Sequence, residues 1–132
     1  MFIIPRVRIF NLAFALIIPF SMTVEAQQST EGNPVGFESV GEALEALQSD
    51  SEVRMSTHDS WTVAVEQKEG ATIIWSFTPE DHVAHPSVIR REFSEQEGLL
   101  SIDMAGLCES TEESCDILFQ QFREMDKNML EN

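Results

Sequence analysis

Between Val53 and Met104 the chain breaks into short segments of alternating apolar and polar residues joined by connectors too short for a parallel crossover. Val53 to Thr57 is a weak first strand, and His58-Asp59-Ser60 is a turn. Trp61, Val63 and Val65 alternate with Thr62, Ala64 and Glu66, the period-2 pattern of a half-buried strand. After Lys68-Glu69-Gly70, Thr72 to Phe77 carries Ile73, Trp75 and Phe77 on one face and Ile74 on the other. A longer loop, Thr78 to Pro86, is bracketed by Pro79 and Pro86. Val88 to Phe93 and Leu99 to Met104 then form a last hairpin across Glu95-Gln96-Glu97-Gly98. Connections of this length make each strand the antiparallel neighbour of the next, so the sheet is expected to be a meander.

A helix is expected on either side of this region. Ser39 and Glu42 form an S-x-x-E capping box, followed by Val40, Ala43, Leu44 and Leu47 on one stripe. Ser110 and Glu113 repeat the box, with acids in the first turn where the helix dipole favours them. Cys115, Leu118, Phe122, Met125 and Met129 recur at spacings of three and four, and Ile117 and Phe119 widen the stripe. The fold class that follows is α+β. It has an antiparallel meander of four to five strands, with an N-terminal helix and a long C-terminal helix packed on one face.

The first 26 residues have the three zones of a secretory signal. Arg6 and Arg8 are basic, Ile9 to Phe20 is apolar apart from Asn11, and Val24-Glu25-Ala26 puts small residues at −3 and −1. The run is shorter than the roughly 20 residues a spanning helix needs. Cleavage after Ala26 is expected, then a flexible leader over 27–36 and a single α+β domain over 37–132. The destination is the periplasm or the medium.

Removing Arg6, Arg8 and Glu25 from 8 basic and 23 acidic residues leaves 6 against 22, a formal charge of −16. That charge argues strongly against nucleic acid and anionic membrane surfaces as partners, since both need clustered Lys and Arg. The acids are spread along the chain, which fits a solvated surface better than one acidic face.

Two cysteines, Cys108 and Cys115, stand in a Cys-x6-Cys arrangement, and an even count in an exported chain points to a disulfide. Redox pairs use Cys-x-x-Cys instead. His82 and His85, with Asp81 and His58, are weak candidates for a metal, because they sit in a Pro-bounded loop and match no strict motif. No metal and no cofactor is expected. The chain has no G-x-S-x-G elbow and no phosphate-cradling glycine loop, and it lacks tyrosine, so no catalytic residue is assigned. Arg90 and Arg91 fall on opposite faces of one strand. Arg91, between Ile89 and Phe93, either forms a structural ion pair or contacts a ligand anion. Trp75 belongs to the core unless it is exposed, in which case it marks a binding face.

Trp75-Ser76-Phe77-Thr78-Pro79, His82 to Arg91, Leu107-Cys108-Glu109 and Cys115-Asp116 follow a helix that reads V-x-x-A-L-x-x-L. Together they resemble a family of small uncharacterised exported proteobacterial proteins with a WSFTP…HPA…LCE…CD pattern, over nearly all of the chain after residue 26. The chain departs from that pattern where the family carries Gly before His82 and an aromatic residue at the position of His85. The resemblance implies export and a paired-cysteine scaffold, and it implies no activity.

The expected function is therefore that of a non-enzymatic envelope protein that binds a protein or peptide through a sheet edge or exposed aromatics. The alternatives are a small-molecule or anion-binding protein using Arg91, and a hydrolase with an unrecognised site.

Overall fold

A computed structural model describes residues 35–132. The expected signal, and the expected leader as far as Pro34, lie outside the described residues. The element order is α1 (Val40–Ser49), β1 (Arg54–His58), β2 (Trp61–Lys68), β3 (Ala71–Phe77), β4 (Ser87–Gln96), β5 (Leu99–Cys108) and α2 (Glu112–Glu131). The five strands form one sheet in the order β1-β2-β3-β4-β5, every neighbouring pair antiparallel. The fold is an α+β meander, as the short connectors require.

Tight turns set the register. Asp59 and Ser60 join β1 to β2, both with positive φ, 49° and 70°. Glu97 and Gly98 do the same between β4 and β5, at 54° and 79°. Such turns match the twist of the strands they join. The last hairpin is longer than the sequence pattern indicates, reaching Gln96 on β4 and Cys108 on β5. Its alternation fades at both ends, but backbone pairing continues from Ser87↔Cys108 to Gln96↔Leu99.

The helices lie on opposite faces of the sheet, not on one face as the sequence pattern suggested. Val40, Ala43 and Leu47 of α1 pack with Ala64, Ile73, Trp75, Phe77, Val88, Ala105 and Leu107. Leu118, Phe119 and Phe122 of α2 pack with Ala84 and Ile89, against half-buried Trp61 and Met104. The reason is in the strands. Adjacent residues point to opposite faces, and Val88 and Ile89 are both fully buried. A sheet apolar on both faces needs a cover on each.

Packing also decides which helix residues are inside. Ile117 is exposed rather than part of the buried stripe, while Phe119 is buried. Val35, placed in the leader by its polar surroundings, is buried beside α1. Ser39 caps α1 as expected, its Oγ accepting from Glu42 N at 3.1 Å. At α2 the cap is Thr111, not Ser110. Thr111 Oγ1 accepts from Ser114 N at 3.2 Å, while Ser110 Oγ donates to the Val83 carbonyl at 3.0 Å. Ser110 is engaged by the Thr78–Pro86 loop, and the helix starts one residue later.

Candidate functional site

The sheet separates the candidate residues. Trp75 and Arg90 are cross-strand partners on the α1 face, and the Arg90 guanidinium lies 5.5 Å from the indole centroid. Glu66, on β2, accepts from Trp75 Nε1 at 2.8 Å and pairs with Lys68 at 3.5 Å. Arg90 pairs with Glu92 at 2.7 Å. Phe37 meets the Trp75 ring edge-on at 5.7 Å. Trp75 is only 4% exposed, so it is a core residue with a satisfied N–H rather than an exposed aromatic. Lys68, Arg90, Glu66 and Glu92 balance in charge around it.

Arg91 points to the opposite face. Its Nη1 donates to Asp126 Oδ1 of α2 at 3.0 Å and lies 3.4 Å from Met125 Sδ. The guanidinium stands over the rings of Phe93 at 5.4 Å and Phe122 at 5.1 Å. Both charged side chains are buried, and Nε has no hydrogen-bond partner among the described residues. Charges taken so far from water are retained only when paired. Asp126 supplies that pairing and ties the last turns of α2 to the centre of β4. Arg91 is thus engaged by the fold's own carboxylate.

The histidines are occupied by their loop. Ala84 N donates to His82 Nδ1 at 3.0 Å, and the His82 ring stands edge-on to Trp61 at 5.3 Å. His85 Nδ1 lies 3.1 Å from the Thr78 carbonyl oxygen and 3.2 Å from Thr78 Oγ1. The peptide bond from His85 to Pro86 is cis. Ser87 Oγ donates to the Ala84 carbonyl, and Thr78 Oγ1 accepts from Ser87 N, closing the loop upon itself. Among the described residues, no group of three or more His, Cys, Asp or Glu is gathered as a metal ion requires. His58 Nε2 lies 3.1 Å from the Oγ of Ser56, its neighbour on the same face of β1.

Cys108 and Cys115 form a disulfide, with sulfurs 2.07 Å apart and α-carbons 5.8 Å apart. The bond joins the end of β5 to the first turn of α2. Among the described residues, no helix is long and apolar enough to cross a membrane. A disulfide-bonded fold of this kind is compatible with an extracellular or periplasmic location.

A feature the sequence pattern did not isolate is the outer edge of β5. Among the described residues the strand order gives β1 and β5 one neighbour each, and β5 is ten residues against five in β1. The first half of β5 is open to solvent, with Leu99 73% and Leu100 47% exposed and Ser101 and Asp103 also exposed. β3 pairs with β4 only as far as Ser94, so Glu95↔Leu100 and Gln96↔Leu99 project beyond the rest of the sheet. The sequence signal for this was present but indirect: the last hairpin has no strand after it.

The register brings acids into one row on the α1 face. Glu66, Ile73, Glu92 and Asp103 are consecutive cross-strand partners, and Asp103 ends the row at the open edge. On the α2 face of the same edge stand Leu100, Ile102 and Met104. Comparison of this chain with protein-family models, with curated proteins and with solved structures returned no match.

Proposed function

We propose that this chain is an exported, non-enzymatic interaction module of the bacterial envelope or the medium, binding a protein or peptide along the open edge of β5. The observation that carries this reading is a ten-residue strand that, among the described residues, is hydrogen-bonded to a neighbour on one side, with its first half exposed. Edge strands of that length present unpaired N–H and C=O groups and are usually blunted or covered. A strand from a partner satisfies those groups by β-augmentation. The disulfide supports export, because such bonds persist in oxidising compartments.

The rival, anion capture by Arg91, draws less support, because Asp126 already engages that guanidinium. Exposed aromatics draw less support too, since Trp75 is buried. A photocrosslinking residue at Ser101, on the β5 edge, tests the reading against the same residue at Ala46, exposed on α1. In envelope extract a defined protein adduct is expected from position 101 and not from 46. Equal labelling from both positions contradicts the edge reading. A small anion that raised the melting temperature with no protein partner present would favour the rival.

A further inference from the structure

The two faces of the open edge specify the chemistry of the strand that would lie against it. This inference rests on the β5-edge reading above. On the α2 face, the side chains along the edge are Leu100, Ile102 and Met104, all apolar. On the α1 face they are Leu99, Ser101 and Asp103. Asp103 closes the row that runs through Glu66 and Glu92, and those two acids already have cations, Lys68 and Arg90. Asp103 makes no ion pair among the described residues. Cross-strand neighbours of opposite charge attract and like charges repel, so the next position in that row favours Lys or Arg. The rows through Leu100, Ile102 and Met104 favour apolar neighbours for the same reason of pairing.

We infer that β5 accepts, as a sixth strand about 4.8 Å from it, an extended segment that alternates apolar and cationic residues. Its apolar side chains would cover Leu100, Ile102 and Met104, and a cation would meet Asp103. A second copy of the exported chain fits poorly, because it brings another −16 of formal charge to an edge whose charged side chain is Asp103. An anionic lipid surface fits poorly for the same reason.

The test uses the full exported chain and a synthetic peptide, acetyl-(Lys-Val)3-Lys-amide, followed by amide chemical shifts. Binding should shift the amides of residues 99–104, weaken as salt is added, and fall about tenfold on Asp103→Lys. Ile102→Ser should weaken it as well, and both variants should keep the parent's melting behaviour within a few degrees, since neither position is fully buried. The inference is overturned if the shifts centre on β1 or a helix, or if Asp103→Lys binds as the parent does. It is also overturned if the Glu-Val counterpart or phosphatidylglycerol vesicles bind equally well. Absence of binding at millimolar peptide overturns it too. In each of these cases a persisting adduct from position 101 leaves the β5-edge reading standing, and loss of that adduct removes both.

Discussion

The two faces of this sheet are covered by helices held in unlike ways. On the α1 face a short helix sits in the larger cluster of buried side chains, held by ordinary apolar packing. A long-range polar tie runs from Val40 N to Glu109 Oε1 at 3.2 Å. On the α2 face a twenty-residue helix rests on a smaller cluster and is fastened at three points. The disulfide holds its first turn, Gly106 admits Phe119, and Arg91 holds Asp126. The difference shows how a small sheet with two apolar faces is completed. Where the core is large, packing is enough, and where it is thin, specific fasteners locate the helix.

The contrast breaks most sharply at Asp126. Asp126→Ala would strand a buried guanidinium whose Nε already lacks a partner among the described residues, and should cost about 3 to 5 kcal/mol in urea unfolding. The paired change Arg91→Met with Asp126→Leu should recover most of that loss. If the single change is silent, the ion pair is not a fastener.

Cys115→Ser should lower stability by about 2 to 4 kcal/mol and speed amide exchange in α2 more than in α1. Two free thiols in unreduced protein taken directly from the envelope would count against the disulfide.

At Gly106 an added Cβ would collide with Phe119 Cε1 and stand 3.0 Å from Ile89 Cδ1. Gly106→Ala should therefore cost about 1 to 3 kcal/mol by overpacking, with the Trp75 environment little changed. A shortened ring, Phe119→Leu, should relieve part of that cost in the double variant. Equal damage to both faces would argue that the sheet is one indivisible core.

The smallest effect is expected at the first turn, away from both helices. Asp59 and Ser60 both adopt positive φ without a glycine. Ser60→Gly should raise stability by about 0.5 to 1 kcal/mol in thermal melts, by removing side-chain strain.

How much of this was legible in the sequence differs from element to element. The meander was readable because Asp59-Ser60, Glu69-Gly70 and Glu97-Gly98 leave no room for any connection but a hairpin. The disulfide was readable from cysteine count and inferred compartment. The placement of α2 was not. It depends on Ile89 and Gly106 facing away from α1, and period-2 patterning identifies two faces without saying which helix covers which. The partners of the candidate residues were readable only in part. That Arg91 needs a carboxylate follows from its burial, but Asp126 lies 35 residues away and nothing local singles it out. Glu66 was closer to hand, because the Glu69-Gly70 turn fixes the hairpin that carries it beside Trp75. The open edge depends on the absence of a sixth strand among the described residues, and only the assembled sheet displays which strand ends it.

Amide hydrogen exchange along β5 tests the central claim most directly, when the protein is pulsed within envelope extract and compared with the purified protein. The account predicts slower exchange at residues 99–104 in the extract, with β1 unchanged, because a partner strand occupies the open edge. Identical exchange along β5 in both samples, with protection appearing at another surface instead, would contradict it.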